Sequence, residues 1–245
     1  MLKPAVLVPL VLSVSMFVWG PVAGGAQPPM VARTAASDSD WKSAPWAIDM
    51  QRRHAQLIER NGPGTDAALR ATLLAMGDKD QDARGIVHGQ PKNSGKLEMA
   101  RNLAEIDAGL TARLKEIVAK EGWPTIALVG IDASNAAMTI LTHTRDHAWQ
   151  LALLPQLEEL ADTGKIDGSA LALVVDKELV SEGRLQRYGT QFKYVDGAMA
   201  MFGVEDAAGL DVRRATLFLP PMDAYKQLLM QMYHLPVSNT IVSSK

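Results

Sequence analysis

Residues 95–120 read GKLEMARNLAEIDAGLTARLKEIVAK, and this stretch sets the fold class of the chain. Its apolar residues recur every three or four positions: Met99, Leu103, Ile106, Leu110, Leu114 and Ile117. This spacing places them on one face of an α-helix, which turns once in about 3.6 residues. Gly122 and Pro124 follow, and both residue types end helices. The stretch therefore predicts a long amphipathic helix from Gly95 to Lys120.

Most other segments also show helical patterns. In the N-terminal half, helices are predicted from Pro45 to the Gly62-Pro63-Gly64 stop, from a Thr65 cap to Met76, and around 81–87. Further helices are predicted from an Asp132 or Ser134 cap towards Thr142, over 146–161 with a kink or restart at Pro155, and over 169–181 after Asp167. The last two are predicted around 210–215 and after Pro220-Pro221. Residues 125–130 form a short apolar run, which is interpreted as a strand or a buried extended loop.

One segment in the C-terminal third has the pattern of a β-hairpin. Apolar and aromatic residues alternate on both sides of a two-residue turn: Phe192, Tyr194, Asp196-Gly197, Met199 and Met201. Asp-Gly is typical of the tight turn that joins two antiparallel strands. We therefore predict a mainly α fold, a helical domain with one small β-hairpin near the C-terminal third.

The N-terminus has the pattern of a secretory signal peptide. Lys3 is followed by a long apolar run without charge, and the small residues Gly24 and Ala26 mark a cleavage site. An uncleaved membrane anchor over Ala5–Ala26 is the alternative. We expect an exported protein, periplasmic or extracellular, with no membrane contact after leader cleavage. The predicted organisation is a signal peptide over 1–26, a flexible tether over 27–44, a single helical domain over 45–236 and a disordered tail over 237–245.

The composition excludes several function classes. The 245 residues hold 25 basic and 27 acidic side chains, a net charge of −2, and no cysteine. The near-neutral balance argues against nucleic-acid binding, and the lack of cysteine excludes disulfides, thiolate metal sites and a cysteine nucleophile. The sequence contains no glycine-rich phosphate loop and no Gly-x-Ser-x-Gly turn. We therefore expect no nucleic-acid partner and no cofactor.

His143 and His147 are the first candidates for chemistry. If one helix runs through both, His143, His147 and Gln150 lie on one face, and two histidines four apart are half of a zinc site. No third ligand is fixed by the spacing, so we predict no metal, with Asp146 as a helix cap and His147 on the surface. His143 alone can act as a general acid or base, because the pKa of histidine lies near neutrality. A structural role for His143 is the alternative.

Asp176 interrupts an otherwise mostly apolar helix, and Gln186-Arg187-Tyr188-Gly189-Thr190-Gln191 is a polar segment between that helix and the hairpin. A buried carboxylate needs a partner, for which Arg84, Lys177 and Arg187 are candidates, and a structural ion pair is the plainer interpretation. The amides and the phenol of the polar segment can hold a ligand, or they can satisfy the segment's own backbone. Both interpretations stay open.

Several of these residues resemble a known family. The matching motifs are Asp80-Gln81-x-x-Arg84, Gly122-Trp123-Pro124-Thr125, Asp176-Lys177, Gln186-x-Tyr188-Gly189-Thr190-Gln191-Phe192 and Leu219-Pro220-Pro221-Met222-Asp223-Ala224-Tyr225. Over about residues 70–226 the chain resembles the uncharacterised bacterial family DUF6624. Lys177 stands where the resemblance leads us to expect arginine, and lysine cannot make a planar two-pronged contact with a carboxylate. The resemblance implies a shared polar site and no particular activity.

We expect the polar residues to converge on one pocket of the helical scaffold. The predicted catalytic residues are His143 as proton carrier, Asp176 to orient it, and Tyr188; the predicted substrate-binding residues are Asp80, Gln81, Arg84, Gln186, Thr190 and Gln191. The first hypothesis is a hydrolase-like or other acid–base enzyme that acts on a small polar molecule or cell-envelope fragment. The alternatives are a module that binds a small polar ligand without turnover, and a structural envelope protein with a buried hydrogen-bond network.

Overall fold

The computed structural model describes residues 44–87, 90–91, 99–233 and 235–243. The predicted signal peptide, nearly all of the predicted tether and residues 95–98 of the helix predicted from Gly95 lie outside the described residues. Residues 99–102 are described and are not helical, so the expected helix over these residues was wrong, and the helix begins at Leu103. None of the helices within these ranges is long and apolar enough to cross a membrane.

The described chain is mainly helical, as predicted. The helices are α1 Pro45–Asn61, α2 Ala67–Ala83, α3 Leu103–Glu121, α4 Ile126–Val129, α5 Ile131–His143, α6 His147–Asp162, α7 Gly168–Ser181, α8 Leu210–Thr216 and α9 Met222–Tyr233. The strands are β1 Ile86–Val87, β2 Gln90–Pro91, β3 Phe192–Val195, β4 Ala198–Phe202 and β5 Val237–Val242. A short 3₁₀ turn, Ala207–Gly209, precedes α8.

Three helices begin at an aspartate whose side chain accepts a hydrogen bond from an unpaired N–H of the first turn. Asp146 caps α6 and Asp167 caps α7, both in agreement with the sequence. At α2 the cap is Asp66, which accepts from the N–H of Leu69 at 2.8 Å. The predicted cap, Thr65, is one residue too early.

α2 continues to Ala83, well past Met76, where the predicted helix ends. Asp80 and Ala83 are buried, whereas the neighbouring Asp78 and Asp82 are exposed. The expectation of a polar break after Met76 was therefore wrong, because most of those polar residues form the solvent face of a continuing helix.

Further segments differ from the sequence-based expectation. Residues 86–87, expected to belong to a helix around 81–87, form strand β1 after a turn. Residues 125–130, expected to form a strand or an extended loop, contain the one-turn helix α4, which Gly130 ends with a φ of +79°. Pro155 lies inside α6 without ending it. Proline removes a single N–H donor, and the buried Leu153 and Leu157 anchor the turns around it.

The C-terminal third forms a three-stranded sheet in the order β3-β4-β5. β3 and β4 are the predicted hairpin, antiparallel around Asp196 and Gly197, whose φ angles are +47° and +83°. Residues 237–242, predicted to belong to a disordered tail, form β5, which pairs parallel to β4 with Met201 opposite Ile241. Valine, threonine and isoleucine in this segment favour a strand once a partner edge is present.

The buried apolar residues form a large core between helices and a smaller core at the sheet. The large core joins α2, α3, α5, α6 and α7, and its fully buried members include Leu73, Leu114, Leu141, Leu157 and Val174. The smaller core joins the hairpin to α9 through Phe192, Met199, Tyr225 and Leu229.

α2 and α5 lie side by side and run in the same direction. Arg70 and Asp132 form an ion pair near the start of both helices, at 2.6 Å. Further along, a Cβ added to Gly77 would stand 2.8 Å from the Cβ of Ala136. The lack of a side chain at Gly77 therefore allows the two backbones to approach closely. About one turn further along α2, Asp80 lies beside the last residue of α5.

Candidate functional site

Asp80 and His143 form the centre of the candidate site. Nδ1 of His143, at the end of α5, lies 2.8 Å from Oδ1 and 3.0 Å from Oδ2 of Asp80. The side chains are 1% exposed for Asp80 and 7% exposed for His143. Because Nδ1 faces a carboxylate, the neutral imidazole carries its proton on Nδ1. No described residue forms a hydrogen bond with Nε2.

Arg84 and Gln81 hold the Asp80 carboxylate in place. Arg84 donates from Nη1 to Oδ1 of Asp80 at 2.9 Å, and Gln81 donates from Nε2 to Oδ2 at 2.9 Å. The other terminal nitrogen of Arg84, Nη2, donates to Oδ1 of Asp107 on α3 at 2.8 Å. One guanidinium group thus compensates two buried carboxylates, each through a charge-assisted hydrogen bond.

Lys177 of α7 fixes the backbone around His143. Its Nζ donates to the carbonyl oxygens of Thr142 at 2.6 Å and Thr144 at 2.8 Å. Carbonyls at the end of a helix lack a helical partner, so a lysine there satisfies them. Burial lowers the pKa of Lys177 to about 8, and the charge of Glu178 opposes that shift. At this position, where arginine was expected, the side chain therefore binds backbone carbonyls, and a single ammonium group is sufficient for that contact.

Asp176 anchors the segment that follows α7. Its carboxylate accepts hydrogen bonds from the backbone N–H groups of Arg187 at 2.7 Å, Tyr188 at 2.9 Å and Thr190 at 2.8 Å. A further hydrogen bond comes from Oγ1 of Thr190 at 2.9 Å. Burial raises the pKa of Asp176, and these hydrogen bonds act in the opposite direction. The donors are backbone groups and a hydroxyl, not the side chains of Arg84, Lys177 or Arg187 that the sequence suggested.

The predicted role of Asp176 in orienting His143 is corrected by these contacts. The carboxylate that contacts the imidazole belongs to Asp80, and Asp176 is occupied by the segment around Tyr188. Residues 176 and 177 are adjacent on a helix, so their side chains leave the axis in directions about 100° apart.

Gln186 and Gln191 are engaged with nearby backbone. Gln186 donates from Nε2 to the carbonyl oxygen of Phe202 at 2.8 Å, and its Oε1 accepts from the N–H of Gln191 at 2.9 Å. Gln191 donates from Nε2 to the carbonyl oxygen of Leu173 at 3.3 Å. Both glutamines are buried. This geometry matches the interpretation in which the polar segment satisfies its own backbone.

Tyr188 is half-buried, and burial raises the pKa of its phenol. Its carbonyl oxygen accepts a hydrogen bond from Arg214, a fully buried residue that also donates from Nε to the carbonyl oxygen of Pro220 at 2.7 Å. The guanidinium group of Arg214 lies 4.6 Å from the ring centre of Tyr225. A cation–π contact and backbone carbonyls therefore stabilise this buried charge.

The predicted site residues thus fall into two clusters. The first surrounds His143 and contains Asp80, Gln81, Arg84 and His143. The second surrounds Asp176 and contains Asp176, Gln186, Tyr188, Thr190 and Gln191. α7 is linked to both: Lys177 binds the backbone carbonyl of Thr142, next to His143, and Gln191 of the second cluster binds the carbonyl oxygen of Leu173.

His143, His147 and Gln150 do not share one helix face, because α5 ends at His143 and α6 begins at His147. Nδ1 of His147 lies 2.9 Å from Oε1 of Glu178, and Gln150 donates to the carbonyl oxygen of Leu141 at 2.6 Å. Across the described part of the chain, no group of three or more histidine, cysteine, aspartate or glutamate side chains is placed to hold a metal ion.

Sequence reasoning missed the roles of Asp107, Lys177 and Glu178. Asp107 lies between Leu103 and Leu110 on the apolar face of α3, and the other two interrupt the apolar helix α7. All three are buried. A charged residue at a position that the helical period assigns to the core is the signal that could have identified them.

A family model described as a family of unknown function, DUF6624, matches residues 67–238. An argininosuccinate lyase from Clavibacter michiganensis subsp. michiganensis (strain NCPPB 382) is 27% identical over 154 residues, which are 62% of this chain and 29% of that protein. The chain thus spans less than a third of the length of this relative. No solved structure matches the chain.

Proposed function

The chain belongs to the DUF6624 family, whose function is unknown, and from the geometry of its polar site we propose that it is an acid–base enzyme acting on a small polar molecule. The observation that carries this proposal is the 2.8 Å contact between Nδ1 of His143 and the buried carboxylate of Asp80. A carboxylate in this position fixes the ring and its tautomer. It also stabilises the imidazolium that forms when Nε2 accepts a proton.

Arg84 and Lys177 act as positioning residues in this proposal. Arg84 keeps the Asp80 carboxylate in the orientation that His143 needs, and Asp107 fixes Arg84 from the other side. Lys177 holds the backbone next to the imidazole and is itself 4% exposed. Preorganisation of this kind lowers the cost of moving a group into its reactive position during the reaction.

The cluster around Asp176 receives a structural role in this proposal. The side chains of Asp176, Gln186 and Gln191 form hydrogen bonds with nearby backbone groups. Few polar groups of this cluster are therefore left to bind a substrate. Tyr188, predicted to be catalytic, is half-buried, and its backbone is bound by Asp176 and Arg214. We therefore assign the proton transfer to His143 alone.

The name of the curated relative supplies one compound to test. That relative is a lyase for argininosuccinate by name, and elimination reactions use a general base. Because this chain spans only 29% of that protein, argininosuccinate is one member of the test panel and not the proposed substrate.

We also propose that the protein acts outside the cytoplasm, in the periplasm or the medium. The support is the leader pattern of residues 1–26, with its charged start, apolar run and small-residue cleavage site. Protein isolated from intact cells should then begin at Gln27 when its N-terminus is sequenced. An N-terminus at Met1 in a membrane fraction would favour the uncleaved anchor.

The proposed activity is tested with a substrate panel and matched histidine variants of the full chain. The panel holds small polar esters, amides, glycosides and phosphate esters, cell-envelope fragments and argininosuccinate. His143→Gln keeps a polar side chain but removes the proton carrier, and we expect kcat to fall by about 10²- to 10⁴-fold. His54→Gln, on α1 and outside the site, is the control and should keep full activity.

The outcomes separate the proposal from its alternatives. Turnover that survives His143→Gln contradicts the assignment of His143 as proton carrier. Saturable binding of a panel compound without turnover favours a ligand-binding module. Asp80→Asn should lower kcat more than it raises KM, because Asp80 acts through the imidazole and not through the substrate.

A further inference from the structure

Gln150 lies on the buried face of α6, where an apolar residue is expected. The buried residues of this helix are Gln150, Leu153 and Leu157, which follow at intervals of three and four and therefore share one face. Leu153 and Leu157 belong to the large core, and Gln150 is fully buried beside them. A glutamine in such a place needs hydrogen-bond partners, because a buried polar group without one is unfavourable.

The side-chain amide of Gln150 forms its hydrogen bond at the nitrogen end. Nε2 donates to the carbonyl oxygen of Leu141 at 2.6 Å. A carbonyl oxygen can only accept, so the nitrogen of the amide must face it. The other end, Oε1, is buried and has no hydrogen-bond partner among the described residues. An apolar side chain would avoid this unpaired oxygen, so the contact with Leu141 is what glutamine adds at this position.

Leu141 lies two residues before His143, in the last turn of α5. Carbonyl groups in the last turn of a helix lack the regular N–H partner four residues further on. The backbone N–H of Thr144 also donates to the carbonyl oxygen of Leu141, but at the longer distance of 3.4 Å. Gln150 therefore supplies the shorter of these two hydrogen bonds at the end of α5.

Gln150 and Lys177 hold the backbone around His143 from two different helices. Gln150 belongs to α6 and Lys177 to α7. The carbonyl oxygens that these two side chains bind are those of Leu141, Thr142 and Thr144. Helix ends fray when their carbonyls lack partners. The direction in which the imidazole of His143 leaves α5 towards Asp80 thus depends on both side chains.

We propose that Gln150 is a positioning residue for His143, the proton carrier of the proposed reaction. It acts through the peptide group of Leu141, and because it is fully buried it does not touch the substrate. Its hydrogen bond keeps the last turn of α5 in one conformation, in which Nδ1 of His143 lies 2.8 Å from Asp80. Such preorganisation lowers the cost of reaching the reactive geometry. The inference rests on the proposed function, so one of its tests needs no turnover.

The test without turnover is nitrogen-15 NMR of the histidine side chains in the full chain. Gln150→Met keeps a long side chain but removes the donor. We expect the Nδ1 resonance of His143 to move and its Nδ1–H to exchange with water at least about three times faster, as the loss of one ordinary hydrogen bond allows. His147 is only three residues from Gln150 but faces Glu178, so its resonance should move less. A general loosening of α6 would affect His147 at least as strongly.

Gln156→Met is the matched control, because Gln156 is an exposed glutamine of the same helix. It should leave the resonance and the exchange of His143 unchanged. Gln150→Met should lie within about 4 °C of the wild-type Tm, since it removes one hydrogen bond and one unpaired buried oxygen together. Gln150→Leu is a second variant that removes the same donor, matches the neighbouring leucines of the buried face, and should change His143 in the same way.

Kinetics on a compound that the chain turns over supply the second test. Gln150→Met should lower kcat at least about threefold and change KM by less than about twofold, since Gln150 acts through the imidazole and not through the substrate. A chain that turns over no compound of the panel contradicts the proposed function, and the NMR comparison then decides the role of Gln150 by itself.

Three results would overturn the positioning role. The first is an unchanged His143 resonance and exchange rate in both folded Gln150 variants. The second is a change at His147 as large as the change at His143. The third is a kcat of Gln150→Met equal to that of the wild type.

Discussion

Lys177 donates from one Nζ to the carbonyl oxygens of both Thr142 and Thr144, so a single ammonium group holds the backbone on either side of His143. The position of the imidazole thus depends on α7 as well as on Asp80. Burial disfavours the charged form of this side chain and lowers the pKa of Lys177 to about 8.

Lys177→Met should change how stability depends on pH. The usual lysine pKa of 10.5 applies to the unfolded chain, so between about pH 8 and pH 10.5 the unfolded state binds more protons than the folded state. The stability of the wild type therefore rises with pH across this window, by about 3 kcal/mol for a pKa difference of this size. Urea unfolding at several pH values should show that Lys177→Met lacks this rise.

The control for that experiment is Lys165→Met, which removes an exposed lysine. It should keep the rise in stability between about pH 8 and pH 10.5. If Lys177→Met retains the full rise, the buried ammonium group is not its source.

Asp80→Asn should change the tautomer of His143. In the wild type the neutral ring carries its proton on Nδ1, because that atom faces the Asp80 carboxylate. An asparagine amide can donate to Nδ1, which shifts the proton to Nε2. Nitrogen-15 NMR of the imidazole distinguishes the two forms. His147, which faces Glu178, is the internal control and should not change. A wild-type His143 with its proton on Nε2 would contradict the site geometry.

Gly77→Ala should destabilise the protein and Gly109→Ala should stabilise it. Alanine is favoured over glycine in a helix by about 1 kcal/mol. At Gly109 of α3 nothing lies within 4 Å of the added Cβ, so this preference should appear in full. At Gly77 the new Cβ would stand 2.8 Å from the Cβ of Ala136, so α2 and α5 must separate. We expect a net loss of about 1–3 kcal/mol there, measured by thermal or urea unfolding. Equal effects at both positions would contradict the close packing of α2 and α5.

Asp176→Asn should be strongly destabilising. The change replaces a carboxylate oxygen, which accepts from backbone N–H groups, by an amide that is itself a donor. Leaving buried donors without acceptors costs about 2–4 kcal/mol. Asp196→Asn, at the exposed hairpin turn, is the matched control and should change stability by less than about 0.5 kcal/mol, because asparagine tolerates a positive φ. A loss of stability below 1 kcal/mol in Asp176→Asn, about the size of one ordinary hydrogen bond, would argue against the anchoring role.

The sequence predicts the elements whose pattern is local. The periodic residues from Leu103 to Ile117, the Asp167 cap and the Asp196-Gly197 turn depend on neighbours within a few positions, and all three are confirmed. Met99, predicted on the same helix face, lies before α3 and is 58% exposed. β5 was missed because a strand at residues 237–242 becomes stable only when β4 supplies a partner edge, which is a long-range contact. α2 was cut short because polar residues on its solvent face look like a loop in the sequence.

The same distinction explains what the sequence could predict about the site. Asp80 and His143 were both placed in the predicted site, and the structure joins them although 63 positions separate them. The predicted contact between His143 and Asp176 was wrong. The apolar sequence around Asp176 indicates that its carboxylate is buried, but it does not show in which direction the side chain leaves the helix. The role of Asp107 depends on Arg84 bridging α2 and α3, which no local pattern shows.

The parallel pairing of β5 with β4 makes the last strand a separable component. A protein cut between α9 and β5 would keep the β3–β4 hairpin with a vacant edge beside Met199 and Met201. A synthetic peptide with the sequence VSNTIV carries the residues that fill this edge. The two pieces therefore form the basis of a fragment-complementation reporter, in which rejoining the strand restores the sheet.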